Sequence, residues 1–211
     1  MEIHRSVENT FQPLLPVLPS GFGGKIARII SNTGNPLILA IAASVLVASS
    51  VSTPSAWQWA FFQIFLTIAL PAFYILWLLR QRKVTDFDIY YREQRIKPYL
   101  FTIFCVSAAW LITVIWQAPY LFRTITAAVL IELTCLFIIN RYWKISAHSA
   151  GAASFASLLI YMGGVSALPM LVVIPIMAWS RLRLRRHTLL QTIAGSLLGI
   201  CVFSLTLFTF S

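Results

Sequence analysis

The chain alternates between long apolar stretches and short polar segments rich in Arg and Lys. About 20 apolar residues let a helix cross the hydrocarbon of a bilayer. Residues 36–52, 57–79, 99–117, 120–140 and 188–210 fit that pattern directly. A further apolar stretch, 149–179, is too long for one straight crossing at about 1.5 Å per residue. It is broken by Gly163-Gly164 and by Pro169, which predicts two short crossings joined by a tight turn at 163–168. The pattern therefore predicts an all-α, polytopic transmembrane helical bundle of seven spans, or six if the first is re-entrant.

Ahead of the spans, residues 24–31 (GKIARIIS) place apolar residues at helical spacing beside Lys25 and Arg28. This predicts an interfacial helix, stopped by Asn32-Thr33-Gly34-Asn35-Pro36. The chain divides into an N-terminal segment, 1–33, and a transmembrane domain, 34–211. The first residues carry two Glu and three Pro with no continuous apolar run, unlike a signal peptide. No internal repeat is present.

Composition narrows the class. The chain is 59% hydrophobic and 10% charged, with a mean hydropathy of +0.81. That excludes a soluble enzyme, a disordered chain and a disulfide-built domain. Cys105, Cys135 and Cys201 all fall inside apolar stretches and read as small core residues. Seven Trp and seven Tyr, several near span ends, read mostly as an interfacial belt.

The net charge of +10 would suggest nucleic acid in a soluble protein. On membrane loops it points instead to orientation or to anionic lipid phosphates, and no nucleic-acid partner is expected. Seven spans place fifteen of the sixteen basic residues on one side, with Arg123 alone on the other. The positive-inside rule makes the basic side cytoplasmic, as in a bacterial inner membrane. A second reading is that loops 80–98, 141–148 and 180–187 converge on one anion site.

His148 and His187 both fall on that face, each at a predicted helix start. His148 opens a helix rich in small residues (SAGAASFAS), which lets neighbouring helices approach closely. The amides at such a helix start favour a phosphate. Gln191 follows His187 by four residues, on the same helical face, and its amide oxygen suits one ring N–H, fixing the tautomer. Two imidazoles among fixed cations suit phosphoryl transfer: one ring as nucleophile, the other as general acid, and guanidiniums for the phosphate oxygens.

These residues resemble the type-2 phosphatidic-acid phosphatase superfamily, which includes the vanadium haloperoxidases. Its motifs are K-x6-R-P, P-S-G-H and S-R-x5-H-x3-D. Ser180, Arg181 and His187 match the third at the right spacing, with Gln191 in place of Asp. Ser146-Ala147-His148 matches the second, with Ile145 replacing Pro and Ala147 replacing Gly. The first is the weakest: Lys97 precedes Pro98 where the family has Arg, and Tyr90 stands where the family has Lys. The whole looks like a short, divergent branch carrying T-D-x-D, K-I-S-x-H and R-x5-H-T-x-x-Q, over roughly residues 25–200.

The resemblance implies a phosphatase-like helical core. It makes His187 the nucleophile and His148 the general acid. Arg181, Ser146 and the Ala147 amide would hold the phosphate, with a cation from Arg92, Arg95 and Lys97 and support from Lys144. No cofactor or metal is required, and the substrates are lipid phosphates and diphosphates, including polyprenyl diphosphates. A neutral Gln191 predicts a slower phosphatase, or one that has become a lipid-phosphate-binding protein or a small subunit of a larger membrane complex.

Two acidic features offer alternatives. Asp86 and Asp88 form a D-x-D that would bind magnesium in a prenyl or phosphatidyl transferase; capping, or pairing with Arg92 and Arg95, is the simpler expectation. Glu132 lies inside the fourth span, where a carboxylate is a functional candidate by default. The sequence shows no partner for it.

Overall fold

A computed structural model describes residues 21–209. Arg5, the rest of the predicted segment 1–33 before residue 21, and Phe210 at the end of the last predicted span lie outside the described residues. The described chain is all helical. Five helical stretches are long and apolar enough to cross a membrane, or six if the first bent helix pair counts as one span. This is an integral membrane protein with a polytopic helical bundle. Outward faces carry Phe61, Phe104, Leu197 and Leu205, each more than half exposed, as lipid contact requires.

Helix α1, Phe22–Thr33, buries Gly24, Ala27 and Ser31 on one face. That face meets a later helix through Ser180, whose Oγ donates to the Ala27 carbonyl at 2.6 Å. The predicted stop sequence does end α1, and α2, Pro36–Ser50, begins at once. Asn35 caps it by accepting the Leu37 amide, and Pro36 at its first position loses no hydrogen bond. The pair α1–α2 is bent by 47°. With 15 residues, α2 spans about 22 Å, short of a full hydrocarbon crossing.

Helices α3, Ala56–Ile64, and α4, Leu70–Arg80, run as one stretch through a π-helical turn, Phe65–Ala69. Pro71 follows that turn; it has no N–H to donate, and a π turn absorbs the interrupted ladder. After a loop and a 3-10 turn, Arg92–Arg95, come α5, Ile96–Ile115, and α6, Tyr120–Tyr142.

The stretch from 147 to 183 is a hairpin. Helix α7, Ala147–Gly163, ends at Gly164, whose φ of 60° suits a residue without Cβ. A 3-10 segment, Gly164–Val172, then leads into α8, Val173–Arg183. Both ends of the hairpin reach one side chain: Asp88 Oδ2 is 3.1 Å from Arg181 Nη1, and Asp88 Oδ1 is 3.8 Å from His148 Nε2. The fold-back predicted from Gly163-Gly164 and Pro169 is thus present. Its arms are shorter than a regular span, with 17 and 11 α-helical residues. Five helical stretches pass on length and apolarity, the folded-back 147–183 among them, while α2 and each arm of the hairpin are shorter than a regular span.

Helix α9, Leu189–Thr209, lies closely along α7. A Cβ on Gly195 would strike the Ser146 carbonyl oxygen, and one on Gly199 would strike that of Ala150. These glycines bring the first turns of α7 and α9 side by side, the approach expected of small residues between membrane helices. Among the cysteines, Cys105 is buried but Cys201 is exposed on the outer face. The expectation that all three are core residues fails there, because a lipid-facing position is as apolar as a core one.

Candidate active site

Four segments that are distant in sequence meet at the basic end of the bundle. They are α1, the loop 81–91 with the 3-10 turn after it, the start of α7, and the segment from Ser180 to Gln191. A cavity of about 180 Å³ there is lined by Arg95, Ala147, His148, Arg181, His187 and Asp88, among others. The three basic loops thus converge as the charge pattern predicts.

Arg181 is 2% exposed. Its Nη1 donates to Ser31 Oγ at 2.5 Å and to Asp88 Oδ2 at 3.1 Å, while its Nε is buried without a partner. His148 Nε2 is likewise buried without a hydrogen-bond partner. His187 is 9% exposed, and its Nδ1 lies 3.1 Å from Gln191 Oε1. That atom also accepts the Thr188 amide at 3.1 Å. An atom that accepts a backbone N–H is the amide oxygen, so Nδ1 carries the ring proton and Nε2 keeps its lone pair. Burial, then the charges of Arg181, Arg95 and Lys144, push the His187 pKa down to about 2. The ring is a neutral base at any ordinary pH.

Arg95 is buried; its Nε donates to the Ile89 carbonyl at 2.7 Å, and its Nη1 lies near Asn140 Oδ1 and the Ile145 carbonyl. Lys144 sits with its ammonium 3.8 Å above the Tyr90 ring, a cation–π contact. Burial, then Arg95, Arg186 and Arg181, lower its pKa to about 8.

Other expected residues lie elsewhere. Ser146 is fully buried as the N-cap of α7, with Oγ accepting the Ser149 amide and touching Ser149 Oγ, so it is spent on the helix. Arg92 donates to the Tyr142 carbonyl at 2.6 Å and pairs with Glu93. Lys97 is exposed. Neither of these two nor Lys144 lines the cavity; of the expected cations outside 180–187, Arg95 does. Asp86 and Asp88 pair with Arg186 and Arg181, not with Arg92 and Arg95 as expected. Each carboxylate is thus committed to a guanidinium, and among the described residues no three His, Cys, Asp or Glu side chains come together.

Ser31 and Asn140 are residues that the motif reading missed. Ser31 had one signal, its place on the small-residue face of α1; Asn140 had none.

A second cavity, of about 170 Å³, continues into the bundle and shares Pro36, Leu37, Tyr99, Thr102, Leu133 and Ala147 with the first. Its deeper wall is mostly apolar, with Ile68, Ile125, Phe155 and Leu158. Glu132 also faces it and finds a partner that sequence could not name, Ser154, whose Oγ donates to Oε2 at 2.8 Å. No protein-family model, no curated protein and no solved structure matches this chain.

Proposed function

We propose that this chain is an integral membrane phosphatase that hydrolyses a lipid or polyprenyl phosphate or diphosphate through a phospho-histidine on His187. The observation that carries this reading is a pair of orphaned groups. Arg181 Nε and His148 Nε2 are buried, lack partners and face one cavity with Arg95 and His187. A buried polar group without a partner costs free energy, and a tetrahedral anion would engage both.

The steps follow from the tautomer. The Nε2 lone pair of His187 attacks phosphorus, and the P–O bond to the lipid breaks. His148 delivers a proton to the departing oxygen. Arg181 and Arg95 hold the equatorial oxygens as charge shifts. Water then attacks phosphorus as His148 accepts its proton, the N–P bond breaks with its electron pair returning to Nε2, and phosphate leaves with His187 restored. The continuous apolar cavity suits the first part of an acyl or prenyl chain. The basic face suits the cytoplasmic leaflet of a bacterial inner membrane, and the type-2 phosphatidic-acid phosphatase resemblance supports the same core.

The test is phosphate release from a panel of lipid and prenyl phosphates by purified protein. The His187→Ala variant should be inactive and a chelator without effect. Release from no member of the panel, or equal activity in the alanine variant, refutes the proposal. One observation favours a second reading, a binding protein or complex subunit with weakened catalysis: Gln191, the partner of His187, is neutral. Binding of the same lipids without turnover would select it.

A further inference from the structure

We propose that Asp88 is a positioning residue of this site. It holds the Nη1 corner of Arg181 so that the Nε edge faces the phosphate, and it supports His148 from the same carboxylate. The inference rests on the phosphatase reading and gives a role to a residue that the three motifs leave unassigned.

A guanidinium is planar, so fixing one corner fixes the direction of its other donors. Nη1 is held by Ser31 and by Asp88 Oδ2, and the unpartnered donor is Nε. The other carboxylate oxygen is 3.8 Å from His148 Nε2. That is too long for a hydrogen bond, yet close enough for the carboxylate to offset part of the repulsion that Arg181, Arg95 and Arg186 exert on a protonated ring. A single carboxylate thus supports both the group that holds the phosphate and the group that protonates the leaving oxygen.

The loop around Asp88 is built to stay. Asp86 Oδ1 accepts the Tyr90 amide at 2.8 Å, and Asp86 Oδ2 takes Arg186 Nη1 at 2.6 Å. Val84 and Ile89 are buried against Leu78. Ile89, next to Asp88, has a φ of 47°, which costs a β-branched residue energy. Its carbonyl is gripped by Arg95 Nε. Strained backbone kept by surrounding bonds points to a site that needs the geometry. Such anchoring suits a fixed support and not a plug that the substrate must push aside.

The experiment measures turnover of an active lipid phosphate and inhibition by orthovanadate, with wild type, Asp88→Ala and the isosteric Asp88→Asn in detergent. The expected result for Asp88→Ala is a kcat lower by about a hundredfold, with vanadate binding weakened by a similar factor. Asp88→Asn keeps an acceptor for Arg181 and should recover part of this, staying about tenfold below wild type. Its melting temperature should be unchanged. If both variants equal wild type, or bind vanadate more tightly and turn over faster, Asp88 is inert or a plug and the inference is overturned. Wild-type protein that neither hydrolyses the lipid panel nor binds vanadate overturns the phosphatase reading itself, and this inference falls with it.

Discussion

Gly195 of α9 lies directly against the backbone carbonyl of Ser146, the residue that caps α7. His148 follows Ser146 in the first turn of α7 and His187 stands just before α9, so this contact helps fix where both rings are held. The Ser146 amide also donates to the Gln191 carbonyl at 3.3 Å, tying the two helix starts together. Gly195→Ala should therefore lower stability by about 1–3 kcal/mol, the usual cost of overpacking, because the obstacle is backbone and has no rotamer to change. It should also cut turnover. Gly23→Ala is the control: a Cβ there meets only the end of the Arg183 side chain, at 3.5 Å, and melting should barely move. Thermal unfolding in detergent, read beside phosphate release, checks both.

Gln191 fixes the tautomer of His187 without adding charge. Gln191→Ala should lower kcat by about 10–100-fold, as loss of a supporting hydrogen bond does at comparable sites, with KM little changed. Gln191→Glu keeps the acceptor for Nδ1–H and adds a carboxylate that stabilises the phosphorylated ring, so its activity should match or exceed wild type. Steady-state kinetics on one lipid phosphate decide the point. An inactive Glu variant alongside a fully active Ala variant would contradict the role given to Gln191.

Local spacing made much of this legible, and long-range pairing did not. The His187–Gln191 contact follows from a four-residue step into the start of α9, and the hairpin follows from Gly163-Gly164 and Pro169 breaking an overlong apolar run. By contrast, Asp88 and Arg181 are 93 residues apart, and Asp86 and Arg186 are 100 apart. No periodicity couples such positions, so the nearer arginines, Arg92 and Arg95, looked like the natural partners. Ser146 was legible as part of a motif but not as an N-cap, because one hydroxyl serves either role and only the fold shows which. The shortness of α2 was also hidden: Val51 and Ser52 extend the apolar run past the point where the helix ends at Ser50.

Lys144 gives the site a pH dependence whose sign can be worked out. Its pKa is pushed down to about 8, first by burial and then by neighbouring arginines. Below pH 8 the ammonium is charged and, from beside the cavity, adds to the positive field of Arg95, Arg181 and Arg186; above it the charge is lost. A bound anion favours the charged form, so vanadate affinity should hold steady up to about pH 8 and weaken above it, by at most tenfold per unit. Lys144→Met, measured alongside to correct for the ligand's own titration, should bind more weakly and lose this step. Lys144→Arg should carry tight binding past it. Fold stability runs the other way. The folded pKa is below the unfolded one, so the charged residue costs stability below pH 8, and that cost fades as pH rises toward the ordinary lysine value.

The proposed sidedness rests on where the charges fall and is open to a direct test. Among the described residues, Arg123 alone of the basic side chains lies at the far end of the bundle, where α6 begins, while Arg181 through Arg186 sit beside the site. The positive-inside rule then predicts the cytoplasmic leaflet for the site. The native cysteines all lie within helices, so replacing Cys105, Cys135 and Cys201 by Ser or Ala gives a background for single reporters. A cysteine at the exposed position Arg185 should resist a membrane-impermeant thiol reagent in intact cells and react in inverted vesicles. A cysteine at the exposed position Ser52, on the opposite end, should do the reverse. The opposite labelling pattern would place the pocket on the outer leaflet, and the basic loops would then reflect anion binding alone.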